Sequence, residues 1–549
     1  MAESKPDPKG LRWIDINDFS PGIFDNSLEA FSTPVTPPPG VFPAPMGAAS
    51  ATGTFGCMSL PNGGLGPGPA LGGTPPPTGL TPNDIGIGSQ FTSGGDVTAL
   101  ANSFATQLDE LVIGCTPTPA GGNQTTTFFS YVVATSSLNT ITSATKNFSA
   151  GNKAFCCFPF TTSLFNFASI RPAVVLPLTA PSGPAGNLMV YPDPAAPTAF
   201  GVASVDASSG PAFGHQGRIV AIQGNVVSWP FTTFTANPYE LFNYTDPPLT
   251  TTYPGQHEVF GPENPQGYGA LSSVSAGELF AIKARGGAII IQGDLNNPTI
   301  TTLPSVKSTG PIYGRPDTDG NGTYYCSQDQ GAWVWGGGNT SSKISPQLDD
   351  RFFVPINAMI SDTRAYQYYV QRWADWMVFS NNWIYNSTTN SWWRLGNPNS
   401  LAFYWAIPGY NTSTMYFASQ HAAVGSTEFL FTYDRDVPCN DFTWLSLPIK
   451  LPSEDRIGRV REVVIRASNP YADAAPAIST FLINEANQTD TLAPWTMTPG
   501  VNTVQEFRMN AGLHATSVAV SLHATGTLYA PVIHSISIGY APREHLGAD

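Results

Sequence analysis

Charge is what this sequence has least of. Asp, Glu, Lys and Arg together make up 11% of the 549 residues, against roughly 25% in ordinary soluble domains. The balance is acidic, with a formal net charge of −14. A nucleic-acid grip built by neutralising phosphates with Lys and Arg is therefore excluded as the main design. The acidity serves solubility, or it forms an acidic channel wall that repels DNA. Composition does not choose between the two.

Other absences narrow the field. No CxxC pair occurs among the six cysteines (Cys57, Cys115, Cys156, Cys157, Cys326 and Cys439), and no His stands at ligand spacing beside them. They read as buried free thiols of a reducing compartment. The N-terminal stretch MAESKPDPKG has no apolar core of a signal peptide. No uncharged apolar run approaches the length of a membrane helix, so membrane insertion is not expected. There is no phosphate loop of the G-x-x-x-x-G-K-[ST] type, no HExxH and no G-x-S-x-G elbow. The seven His residues are scattered and read as structural.

What is present is turn chemistry and short apolar runs. Gly (53) and Pro (51) abound, which suits a turn-rich β protein. Residues 30–95 are Pro- and Gly-rich and cannot form helix or a central strand. Phe42, Phe55, Met58 and Leu60 are interleaved there. They suggest an extended arm laid on a neighbouring subunit, since a free linker needs no apolar side chains. Helical spacing of Val97, Leu100, Phe104, Leu108 and Leu111 predicts a helix at 96–113.

From residue 125 onward a form recurs: an apolar strand, two to four turn residues, a second apolar strand. GRIVAIQGNVVSWPF (217–231), GELFAIKARGGAIIIQGDL (277–295) and GTYYCSQDQGAWVWGG (322–337) show it, and WMVFSNNWIYNSTTNSWWRL (376–395) and LAFYWAIPGYNTSTMYFAS (401–419) continue it. The turns QGN, ARGG, DQG and SNN tolerate the positive φ of tight hairpins. Such spacing suits the blades of a propeller. Ser327-Gln-Asp329-Gln-Gly331 before Trp333 and Trp335 resembles part of the Asp-box of sialidase-type propellers. Tyr385 through Trp392-Trp393 resembles the ending of a kelch blade. The expected fold is thus all-β: residues 1–95 an anchor and arm, 96–438 a β-propeller of antiparallel blades, and 439–549 a C-terminal β-sandwich. The last follows from alternating runs such as VAVSLHA and HSISIGY.

Candidate sites are few. Asp317, Asp319 and Asn321 alternate as calcium-cupping oxygens would, although Gln328 stands where an EF-hand places its bidentate Glu. An ordinary polar hairpin loop is the competing reading. Trp373, Trp376, Trp383, Trp392, Trp393 and Trp405 crowd one stretch. They form blade core, a subunit interface, or a platform on which sugars stack. No motif nominates catalytic residues, and calcium is the one cofactor suggested.

The order of motifs carries a resemblance. Asp18-Phe-Ser-Pro-Gly-Ile23 precedes a Pro/Gly arm with PNGGLGPGP. Then come His215-Gln-Gly-Arg218 with its apolar run, Asn237-Pro-Tyr-Glu-Leu-Phe-Asn, Gly277-Glu-Leu-Phe-Ala-Ile-Lys, and Trp444-Leu-Ser-Leu-Pro-Ile-Lys-Leu. This resembles the β-propeller tail proteins of tailed bacteriophages, of nozzle, tail-hub or minor tail type. The resemblance implies a non-enzymatic virion tail part made in the host cytoplasm. It implies a six-fold or three-fold ring of the chain around the DNA channel, touching other tail proteins and passing DNA without reading it. Two other readings compete with it. One is a carbohydrate-binding tail protein that recognises a host-surface glycan. The other is a propeller glycosidase, which needs two facing carboxylates.

Overall fold

The chain is described from a computed structural model. The structure describes residues 10–20, 22 and 54–71, then the strands and short turns named below between 95 and 439, and 442–542 apart from 452–456, 471–476, 498–502 and 525–530. Among these residues the chain is all-β. The helical segment among them is a single 3-10 turn, Val133–Thr135, and no helix is long and apolar enough to cross a membrane.

Seven antiparallel four-stranded units follow one another among the described residues. Blade 1 is Gly95–Asn102, Glu110–Pro117, Asn123–Val132 and Ser137–Asn147. Blade 2 is Cys156–Phe160, Arg171–Leu178, Gly186–Pro192 and Phe200–Asp206. Blade 3 is Ala212–His215, Arg218–Gln223, Val226–Trp229 and Gly255–His257. Blade 4 is Tyr268–Val274, Glu278–Lys283, Ala288–Gln292 and Thr299–Leu303. Blade 5 is Asp317–Thr318, Thr323–Ser327, Gly331–Trp335 and Ser342–Lys343. Blade 6 is Tyr368–Trp373, Trp376–Phe379, Trp383–Asn386 and Ser391–Arg394. Blade 7 takes Phe403–Pro408, Thr414–Ser419 and Leu430–Pro438, and its fourth strand is Pro69–Leu71 from the N-terminal region.

The first strands of successive blades lie side by side, and the first strand of blade 7 lies beside that of blade 1. A closed ring of this kind is the arrangement of a β-propeller, and it leaves no open edge between its ends. The closing strand is short and begins at Pro69, as suits a sheet edge. It pairs Leu71 with Tyr433, Ala70 with Asp434 and Pro69 with Pro438.

The C-terminal strands form two facing layers. One joins Phe442–Leu445, Ile449–Lys450, Ile478–Asn484, Thr489–Thr491 and Ser517–Ala524. The other joins Gly458–Ser468, Gln505–Asn510 and Val532–Pro542, with the N-terminal strand Arg12–Ile16 on its far edge. Val463, Ile465 and Ile538 meet Val518, Val520 and Leu522 in a core that continues into blades 5 to 7.

Two expectations are corrected here. The helix at 96–113 is absent: Gly95–Asn102 pairs with Glu110–Pro117 instead. The register shifts between Val97 and Ala99. A bulge adds one residue to a strand, and that extra residue disguises the period of two as a longer one. Second, the described part of the Pro/Gly arm does not leave its own chain. The hairpin Cys57–Ser59 and Leu65–Pro67 bridges the last strand of blade 6 to Val532–Pro542. Phe42 lies outside the described residues.

The anchor motif has a clear task. Asp18 Oδ1 accepts the Ser20 amide at 2.9 Å, the Phe19 amide donates to Gly63 O at 2.9 Å, and the Phe19 ring meets Trp444 edge-on at 5.3 Å. Gly22, at φ 71°, bridges to Trp392 of blade 6. These contacts weld the propeller to the sandwich. The turn reading of ARGG also holds, with Gly286 at φ 87° and Gly287 at φ 95°. So does the kelch-like hairpin, where Asn390 takes φ 52° between Trp383–Asn386 and Ser391–Arg394. Asp329 of the Asp-box lies outside the described residues.

Candidate functional site

Every blade begins at the ring, so all seven inner strands run in one direction. Described turns that end them lie at 319–322 and 374–375. The opposite end, where each inner strand begins, is called here the entry end.

By sequence these strands carry three charged residues, Asp96, Asp317 and Arg372. The strand Gly314–Arg315, which carries Arg315, pairs in parallel with both Tyr268–Val274 and Tyr368–Trp373. The remaining polar residues are uncharged, among them Thr98, Asn102, Ser272, Ser273 and Gln371. Tyr268, Tyr404 and Trp405 add aromatic residues. His215 ends the inner strand of blade 3. It is buried, its Nε2 has no hydrogen-bond partner, and burial holds its pKa below the usual imidazole value.

The proposed calcium residues serve other purposes. Asp317 Oδ2 reaches blade 6, where it accepts the Gln371 Nε2–H at 2.9 Å and the Arg372 amide at 2.7 Å. Asp319 turns back on its own loop and accepts the Asn321 and Gly322 amides at 2.7 and 3.1 Å. Its other oxygen accepts the Tyr324 hydroxyl at 3.1 Å. That hydroxyl is held above the ordinary phenol pKa, first by burial and then by the Asp319 charge. The two carboxylates thus face different partners. Gly322 is required for the turn, because a Cβ there would stand 2.4 Å from Trp335 O. The loop is therefore a hairpin turn plus an inter-blade tie. No cluster of three His, Cys, Asp or Glu suited to a metal occurs among the described residues.

The described tryptophans take the first of their readings, blade core. Trp376 is 8% exposed, and Trp373, Trp383, Trp392 and Trp393 are at most 1% exposed. Trp373 meets Trp376 edge-on at 5.6 Å. Trp392 packs on Phe379 at 5.0 Å and Tyr385 at 4.9 Å, and its indole N–H donates to Ile344 O of the preceding blade at 2.7 Å. These rings are blade core and offer no open face to a sugar. The side chain of Trp405 lies outside the described residues.

Sequence reasoning missed the tie between blades 7 and 1. The Tyr416 hydroxyl donates to Asp109 Oδ2 at 2.6 Å. Beside it the Ser130 hydroxyl donates to buried Glu110 Oε1 at 2.5 Å. Asp109 and Tyr416 lie 307 residues apart, so no local signal could pair them. A partly exposed aromatic does exist elsewhere: Trp333 of blade 5, with Lys307 Nζ 5.9 Å from its ring centroid.

No family model and no curated relative matches the chain. Solved structures do. An exo-beta-1,3-galactanase from Phanerochaete chrysosporium, with galactose, matches over 78% of this chain and 93% of its own, at 8% identity and a TM-score of 0.23. A glycoside hydrolase family 43 arabinoxylan arabinofuranohydrolase from Bacillus subtilis matches over 81% and 79%, at 9% identity and a TM-score of 0.24. A fructofuranosidase from Schwanniomyces occidentalis matches over 82% and 95%, at 8% identity and a TM-score of 0.26.

These findings correct two expectations. The structures matched here carry the names of sugar-cleaving enzymes and none that of a phage tail protein, so the expectations of a structural tail ring and of a non-enzyme are not carried forward. Similarity at this level assigns the chain no substrate.

Proposed function

We propose that this chain acts on a polysaccharide, with a neutral stretch of it held at the entry end of the propeller. The feature that supports the reading is the sequence of the inner strands: three charged residues, Asp96, Asp317 and Arg372, beside Ser, Thr, Asn and Gln and the aromatic Tyr268, Tyr404 and Trp405. Polyhydroxylated chains are recognised by such groups: hydroxyls and amides exchange hydrogen bonds with sugar hydroxyls, and aromatic faces take the C–H faces of the rings. Turnover requires two carboxylates facing each other across the glycosidic bond. Asp317 and Asp319 are committed to structural bonds. Asp96, near the entry end of the blade 1 inner strand, is the inner-ring carboxylate to test first.

The test is a panel of neutral polysaccharides offered to the full chain, scored by gel retardation for binding and by release of reducing ends for cleavage. Cleavage of one class, lost in Asp96→Asn while retardation persists, supports an enzyme with Asp96 in the chemistry. Retardation without cleavage supports binding alone. Neither across the panel overturns the reading.

A further inference from the structure

The strand Gln505–Asn510 ends its sheet. It pairs with Gly458–Ser468 on one side, and among the described residues no strand pairs with its other side. The Ala511 amide donates to Arg461 O directly opposite at 2.8 Å. Bonded and non-bonded residues alternate along an antiparallel pair. Gln505, Phe507 and Met509 therefore direct their backbone groups to Gly458–Ser468, and Glu506, Arg508 and Asn510 direct theirs to the open edge.

Natural sheets blunt such an edge with Pro, a bulge or repelling charge. Residues 503–511 contain no Pro, and the register with Gly458–Ser468 runs through 505–510 without a shift. Charge is present, but it alternates in sign. Glu506 and Arg508 lie on one face, with side chains 36% and 56% exposed. Between them, on the other face, Phe507 is partly exposed and stacked on Trp495 at 4.4 Å.

We propose that this edge pairs with the same edge of a second copy of the chain, antiparallel, with the two-fold axis at Phe507. That register sets Glu506 opposite Arg508 of the partner subunit, and Arg508 opposite the partner subunit's Glu506. A shift by two residues in the sum sets Glu506 on Glu506 or Arg508 on Arg508, and like charges directly opposite are unfavourable. Glu506 and Arg508 are also residues whose N–H and C=O face outward, so each facing pair exchanges both backbone bonds. The two Phe507 rings meet across the axis as an aromatic cross-strand pair. The existing ion pairs of Glu506 with Arg466 and Arg508, and of Arg508 with Glu462, stay in place. Backbone groups carry the association, and the charges select its register. The contact is isologous and closes at two copies. It is independent of the carbohydrate reading.

Sedimentation velocity of the full chain over a concentration series is expected to show a monomer–dimer equilibrium. Glu506→Pro removes an N–H that no bond within the chain uses, at an edge position where Pro is tolerated. It is expected to weaken the dimer about tenfold or more, with an unchanged far-UV spectrum. Glu506→Lys keeps the backbone, sets Lys opposite Arg508 of the partner subunit, and is expected to weaken the dimer as well. Two Phe507 Cα atoms would stand about 4.5 Å apart across the axis, within disulfide reach. Phe507→Cys is therefore expected to form an interchain bond under mild oxidation, and Glu506→Cys is not. A wild type that stays monomeric at every concentration overturns the proposal, as does a dimer equally tight in Glu506→Pro. A cross-link in Glu506→Cys with none in Phe507→Cys overturns the register.

Discussion

The Tyr416 hydroxyl in blade 7 donates to Asp109 Oδ2 in blade 1 at 2.6 Å, closing a ring whose ends lie 307 residues apart in sequence. Burial first, and then the Asp109 charge, hold the Tyr416 hydroxyl protonated far above the ordinary phenol range. It therefore stays a donor at every working pH. Tyr416→Phe removes that donor and leaves the carboxylate short of a partner. The expected loss is about 1–3 kcal/mol in urea unfolding. An unchanged midpoint would mean the seam is held by packing alone.

The N-terminal strand closes the seventh blade within one chain. Ala70 and Asp434 are registered partners, and antiparallel partners sit about 4.5–5.5 Å apart at Cα, within disulfide reach. Ala70→Cys with Asp434→Cys is expected to form an intrachain bond under mild oxidation and to stabilise the fold by roughly 2–4 kcal/mol. Non-reducing electrophoresis reads the outcome. A bond found only between two chains would restore the idea of an arm laid on a neighbour.

Gly22 tests the weld between propeller and sandwich. A Cβ at this position would meet Trp392 O at 2.6 Å and Trp392 N at 2.8 Å, on a backbone at φ 71°. Gly22→Ala is expected to cost about 1–3 kcal/mol and to speed hydrogen exchange in Arg12–Ile16, the strand that leads into the anchor. Exchange that is unaltered there would show that the strand holds without the anchor.

The sequence told its story unevenly, and the reasons are physical. Strand pairs such as Glu278–Lys283 and Ala288–Gln292 were legible because an apolar run, a Gly-Gly turn and a second apolar run leave few alternatives. The first blade was misread because its bulge blurred the alternation. The closing strand was hidden, since Pro69-Ala-Leu71 carries no local strand signal and acquires its role from a partner far along the chain. Trp392 and Trp333 look alike as letters. Only packing buries the first and leaves the second partly exposed.

Acid should act on the sandwich through Glu485. Its carboxylate accepts the Thr516 amide at 3.1 Å on both oxygens and the Ser517 amide at 3.1 Å. Burial alone would raise its pKa, but these backbone donors outweigh it and hold the pKa below the ordinary value. A depressed folded-state pKa stabilises above the unfolded value, about 4.3. That stability fades as pH falls through the folded value. Glu485→Gln is therefore expected to destabilise near neutrality and to match the wild type once pH has dropped below both values. A stability gap that persists in acid would assign the effect to shape rather than charge.

The most direct measurement of the central claim is hydrogen exchange read by mass spectrometry, on the chain with and without an oligosaccharide from the class it retains or cleaves. The account predicts protection at the entry ends of the inner strands, near 95–97, 268–270 and 403–405, with the sandwich at 442–542 unchanged. Protection confined to the sandwich would contradict it, and would move carbohydrate recognition off the propeller.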